Sequence, residues 1–413
     1  MDNADPDLDS SEEPAAVTLT EPAEGTPPVI TDAEALSQAC DALSRGSGAV
    51  AVDTERASGY RYWPKAYLVQ LRREGAGTFL VDPIPLEGRL EPLAKVLNNV
   101  EWVLHAASQD LPCLAELELY PESLFDTELA GRLAGHDRVA LGTLVEQLLG
   151  YRLEKGHSAA DWSKRPLPVE WLNYAALDVE LLVPLREKLE TDLAAQGKLE
   201  WAYQEFEAVR TAPPPPPRQE PWRRTSGIHK IRSPRGLAAV RALWEARDEL
   251  ARKRDRAPSR VLPDSAIINA VLANAKTSAD LQALPVFSGR VQRRYTGNWL
   301  RPLQAARTLD ASELPTPATP GDGPPPVNRW SDKDPDAAAR LAAARTSLSE
   351  LAEHHRLPVE NLLLPDLLRR TCWRPPADLS PEGVAEALRV GGARPWQVEL
   401  TATPLSEALH TQA

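Results

Sequence analysis

Cysteine, methionine and phenylalanine are scarce in this chain: three, one and four among 413 residues. Cys40, Cys113 and Cys372 lie far apart. They make neither a zinc-ligand spacing nor a disulfide framework, which fits a reducing compartment. No apolar run approaches the ~20 residues of a membrane-spanning helix. The first residues carry acids where a secretory leader would carry bases and then an apolar stretch. These absences predict a cytoplasmic protein with no membrane partner. A Gly-x-x-x-x-Gly-Lys-[Ser/Thr] phosphate loop is also missing, which excludes a helicase built on that loop.

Bases are absent from one end and abundant further on. Residues 1–28 hold eight acids and no Lys or Arg, with Pro and Ser and almost no large apolar side chain. Such a segment cannot bury enough apolar surface to order itself and is expected to be disordered. The net charge is −12 for the whole chain, yet residues 218–310 alone carry +11 and residues 29–217 carry −11. An acidic segment suits clustered carboxylates around metal, and a basic one suits phosphates. The alternative reading of the basic segment is a solvated helical surface.

Apolar runs at 49–52, 67–71, 78–81 and 102–105 read as buried strands. Helical patterns are expected after Thr31-Asp32 to about residue 43, and over 90–97, 110–117, 127–134, 141–149 and 168–193. Interleaved strands and helices indicate an α/β domain. The unbroken Pro213 to Pro217 run is an extended spacer. Everything after it is helical, over 237–253, 264–273, 336–354, 365–372 and 381–389, with a second Pro-rich break at 315–326. The expected order is a tail over 1–28, an α/β domain over 29–210, a linker over 211–222, a helical domain over 223–308, a linker over 309–330 and a second, similar helical domain over 331–413. Leu262-Pro263-Asp264 and Leu364-Pro365-Asp366 each follow a charged helix and a proline, which suggests one helical plan used twice.

Chemistry is carried by four acids in three places. Asp53 and Glu55 end the first apolar run at i and i+2, so both carboxylates leave a strand on one face. Asp110 follows the fourth strand through His105-Ala106-Ala107-Ser108-Gln109. Tyr174 and Asp178 stand four apart on a helix and share a face. Phosphodiester hydrolysis uses such a set, because two hard divalent cations ~3.5–4 Å apart can activate water and stabilise a leaving oxygen. Oxygen ligands suit Mg²⁺ and Mn²⁺.

Val50-Ala51-Val52-Asp53-Thr54-Glu55, Val103-Leu104-His105-Ala106-Ala107-Ser108-Gln109-Asp110 and Tyr174-Ala175-Ala176-Leu177-Asp178 resemble the three exonuclease motifs of the DEDD superfamily, tyrosine subclass. The second is close to the ribonuclease D form. Phe125-Asp126-Thr127 and Asp161-Trp162-Ser163-Lys164-Arg165-Pro166-Leu167 are also similar to ribonuclease D, and residues 226–284 resemble an HRDC domain. The resemblance implies a ribonuclease-H-like α/β exonuclease domain, with a mixed sheet flanked by helices, followed by all-α HRDC-like domains. It implies metal binding by Asp53, Glu55, Asp110 and Asp178, water orientation by Tyr174, and two Mg²⁺ or Mn²⁺ ions as cofactors. The implied activity is 3′→5′ hydrolysis of RNA to nucleoside 5′-monophosphates, on transfer RNA precursors and other structured RNAs, with no obligate protein partner. The segment Arg56-Ala57-Ser58-Gly59-Tyr60-Arg61-Tyr62 departs from the family, which often has an apolar or aromatic residue after the motif glutamate.

Bland roles stand beside these. Any one acid can be a helix cap or a solvated charge, and a lone tyrosine usually packs. His105, Gln109, Lys164 and Arg165 are candidate substrate contacts, with packing or capping as the alternative. Arg252, Lys253, Arg254 and Arg256 are candidates for RNA contact, or a solvated helix end. A 3′→5′ DNA exonuclease and a catalytically idle RNA-binding protein are the rival functions. With metal site and grip on either side of the proline spacer, catalysis and long-range binding are expected to separate there.

Overall fold

A computed structural model describes residues 16–154, 156–157, 159–316 and 323–412. Asp32 opens the first helix, α1 (Ala33–Arg45), by accepting from the backbone N–H groups of Glu34 and Ala35 at 3.0 and 2.9 Å. Six strands form one sheet in the order β2 (Val29–Ile30), β5 (Gly77–Val81), β4 (Ala66–Glu74), β3 (Ser47–Arg56), β6 (Glu101–Leu104), β7 (Ser123–Asp126). β4 runs antiparallel to both of its neighbours, β3 and β5. β6 and β7 continue parallel to β3, so the sheet is mixed.

Both faces are covered, which is why β3 reads as a continuous apolar run. Val50, Val52, Val69 and Leu71 pack with α1, α2 (Glu91–Leu97) and α3 (Leu111–Ala115). On the other face Ala51, Val103 and Phe125 meet α4 (Thr127–Ala134), α5 (Leu141–Leu149) and the helices that follow. The helix expected over 168–193 is two: α6 (Val169–Glu180) and α7 (Leu182–Ala195). Pro184 has no N–H to offer the carbonyl of residue 180, and Leu181 turns between the two helices at φ −112°. α8 (Leu199–Arg210) completes the domain before the exposed prolines 213–217.

Residues 16–28, expected to belong to a disordered tail, are ordered. Residues 1–15 lie outside the described residues, but β1 (Val17–Leu19) pairs in parallel with β8 (Tyr151–Leu153). The Thr20 carbonyl and the Thr26 hydroxyl both bond the side chain of Asn173 on α6. Strands of two or three residues show no alternation, so β1, β2 and β8 leave no readable pattern.

The basic segment forms α9 (Pro234–Lys253), α10 (Pro258–Val261) and α11 (Asp264–Leu272). Helices Pro335–His355, Val359–Leu362 and Pro365–Trp373 repeat this order, with lengths of 21, 4 and 9 residues against 20, 4 and 9. Neither helical unit hangs on a linker alone. Trp201 of α8 stacks on Trp396 at 5.0 Å, and the Trp396 indole donates to Glu205 at 3.0 Å. The C-terminal helices thus share one apolar core with the sheet domain. The first unit grips the segment following β3: Asp255 accepts from the Tyr62 and Trp63 N–H groups at 3.1 and 3.3 Å. The Tyr62 hydroxyl donates to Asp248. The units on either side of the proline spacer are thus in direct contact. Among the described residues no helix is long and apolar enough to cross a membrane.

Candidate active site

The C-terminal halves of the parallel strands converge on one open cavity of about 950 Å³. Asp53 and Glu55 reach it from β3, Tyr174 and Asp178 from α6, and His105, Gln109 and Asp110 from the turn after β6. One oxygen each from Asp53, Glu55 and Asp178 lies within 4.8 Å of the other two. Asp110 stands outside that trio. The Thr54 hydroxyl donates to its Oδ1 at 2.6 Å, and the Arg56 guanidinium is 3.8 Å from the same oxygen while donating to the Gln109 carbonyl.

Asp126 positions the turn that carries Asp110. Its carboxylate accepts from the N–H groups of Ala106 and Ala107 at 3.1 and 2.8 Å and from Glu128 and Leu129 at the start of α4. Ala106 is held there at φ 59°, a left-handed conformation that alanine rarely adopts.

Crowding of buried acids shapes the electrostatics. Burial and the neighbouring acids push Glu55 up to about 10, and burial carries Asp178 up to about 7 against a hydrogen bond from Tyr174. Asp53 is raised well above the carboxylate range by burial and by Asp110 and Asp178. The Tyr174 phenol is raised by burial and facing carboxylates, so it stays a donor, and its hydroxyl bonds Asp178. A buried cluster that resists ionising together is the donor set a hard cation would neutralise. Buried Gln70, whose two side-chain polar atoms lack partners, sits across the sheet from Asp53.

The other candidates divide. His105 is lowered to about 4 by burial and is neutral. Its Nδ1 lies 2.9 Å from the Thr127 hydroxyl, which itself donates to the Leu104 carbonyl, so the network assigns the proton to Nδ1. Arg165 is spent on the domain's frame: its five N–H groups go to both oxygens of Asp82 and to the carbonyls of Tyr67, Trp162 and Lys164. Arg165 does not line the cavity. Lys164 is exposed and does not line the cavity. Arg252, Lys253, Arg254 and Arg256 are exposed around the end of α9, beside the Asp255 grip. The sequence reading passed over Thr54, Arg56 and Gln70. The first two flank Glu55 inside and beside a motif, which was the available signal.

Residues 27–194 match the 3′-5′ exonuclease family, 236–302 the HRDC domain, and 323–409 the 3′ to 5′ exonuclease C-terminal domain. Fold and cavity are those of a 3′→5′ exonuclease. A ribonuclease D from Acidiphilium cryptum is 34% identical over 313 residues, covering 73% of this chain and 78% of that one. One from Nitrobacter hamburgensis is 28% identical over 90% of this chain and 92% of its own. The crystal structure of a Bifidobacterium adolescentis protein superposes with a TM-score of 0.88 at 38% identity, covering 96% of this chain and all of that one. Escherichia coli RNase D, an exoribonuclease involved in structured RNA processing, gives 0.66 at 25% identity over 92% of this chain and 98% of its own. The chain belongs to the ribonuclease D family and is a 3′→5′ exoribonuclease.

Proposed function

We propose that this exoribonuclease is metal-dependent, releases nucleoside 5′-monophosphates, and trims structured RNAs such as transfer RNA precursors. The observation that carries the reading is the meeting of Asp53, Glu55 and Asp178 within 4.8 Å beside Tyr174. Those three would hold divalent metal, Mg²⁺ or Mn²⁺, with Asp110 joining when it leaves Thr54 and Arg56. Bound there, the metal supplies a nucleophilic water and charge stabilisation at the scissile phosphate. Tyr174 donates a hydrogen bond that orients the attacking water. The water oxygen bonds to phosphorus, the bond from phosphorus to the 3′-oxygen breaks, and that oxygen takes up a proton. A ribonuclease D neighbour acts in structured RNA processing, and the exposed arginines around the end of α9 are suited to the body of such an RNA.

The test is turnover of a 5′-labelled RNA beside a matched DNA and a circular RNA. RNA should shorten from its 3′ end, and the circle should survive. Asp53→Asn and Asp178→Asn should leave no measurable rate. Tyr174→Phe should lower the rate ~10²–10⁴-fold with little change in metal affinity. Equal rates on DNA, or a metal-independent rate, would overturn the reading.

A further inference from the structure

β4 is buried along most of its length, and in its middle stands a glutamine with no exposed surface. Among the described residues neither its Oε1 nor its Nε2 has a hydrogen-bond partner. A buried polar group left without a partner destabilises the fold. An apolar side chain of the same size would serve the core better.

The register says where that amide lies. Gln70 is directly opposite Asp53 in the antiparallel β3–β4 pair, and Leu68 is opposite Glu55. Cross-strand partners share a face, with Cβ atoms ~4.5–5.5 Å apart. On its other side Gln70 faces Leu80 of β5. Leu68 and Leu80 pack with Ala175 and Ala176 of α6, the helix that also carries Asp178. Within this apolar layer Gln70 is the polar group paired with the strand position of Asp53.

We propose that Gln70 is a positioning residue for Asp53, its side-chain amide bonding the Asp53 carboxylate in the metal-loaded enzyme and fixing which oxygen faces the cavity. This rests on the metal-dependent reading given above. The two side chains are not bonded in this structure. Partners behind metal ligands typically influence metal affinity or activity by ~10–100-fold.

Gln70→Met keeps length and volume and removes both polar atoms. The full chain and this variant are compared by urea unfolding without metal, by calorimetric titration with Mn²⁺, and by kcat and KM on RNA. The expected variant is as stable as the parent or more so, binds Mn²⁺ at least ~10-fold more weakly, and loses kcat with KM little changed. A variant that is more stable yet binds Mn²⁺ and turns over like the parent overturns the inference. So does a less stable variant, which would give the amide a structural partner. A parent chain that neither binds Mn²⁺ nor needs it would instead overturn the metal-dependent reading itself.

Discussion

Glu55 and Asp178 carry opposite demands on their protons with and without a cation. In the unfolded chain both titrate near ~4. In the folded, metal-free cavity Asp178 is pushed up to about 7 and Glu55 to about 10. Between pH ~4 and 7 the native state therefore holds more protons than the unfolded state. Stability of the metal-free protein should fall as pH rises through that window. Metal binding should expel those protons, so affinity should rise with pH, with on the order of one proton or more released at pH 6. Mn²⁺ titrations in two buffers of different ionisation enthalpy measure this, and zero release would contradict the crowded-carboxylate account. The acids themselves were legible because i, i+2 on a strand and i, i+4 on a helix are local geometry. Asp110 turned toward Thr54 and Arg56 was not legible, because it depends on how a turn meets a neighbouring strand.

Long periodic elements were readable, and short or interrupted ones were not. α1 announced itself through Asp32, and β3 through its apolar run. β2 and β8, of two and three residues, carry too few positions for a period. The break at Leu181 was hidden because Pro184 is tolerated in the first turn of a new helix. One residue ties elements together more than its motif suggested. Asp126 caps α4 and also accepts from the Ala106 and Ala107 N–H groups of the turn leading to Asp110. Asp126→Ala removes a cap worth ~0.5–2 kcal/mol and leaves buried donors unpaired at ~1–3 kcal/mol each, so a loss of at least ~2 kcal/mol is expected. The urea midpoint should fall with its slope unchanged, and kcat should fall with it as the Asp110 turn loosens. Full activity in a destabilised variant would show that the turn holds its shape without Asp126.

For the whole molecule, segment charges suggested a division of labour but not the contact that joins its parts. Asp255 is the single acid inside Arg252-Lys253-Arg254-Asp255-Arg256. It accepts from Tyr62 and Trp63 N–H and faces Arg61 at 3.6 Å, while Arg260 donates to the Gly59 carbonyl and lies 4.0 Å over Tyr60. Partners so remote in sequence leave no periodic trace. The gripped residues, Gly59 to Trp63, follow directly on Ser58, which lines the cavity, so the basic run is docked beside the active-site rim. Charge and docking then predict opposite results for Asp255→Ala. By charge alone the variant gains a positive unit and should bind and degrade RNA better, most visibly at low salt. If docking governs, removing a charged acceptor loosens the grip by ~1.5–3 kcal/mol. Exchange of the Tyr62 and Trp63 amide hydrogens should accelerate, and kcat/KM on a structured RNA should fall several-fold even where equilibrium binding is unchanged or tighter. Asp255→Asn keeps an oxygen acceptor for both amides and should recover most of the loss. A rise in kcat/KM for the alanine variant, with amide protection intact, would leave only the electrostatic role for the basic run.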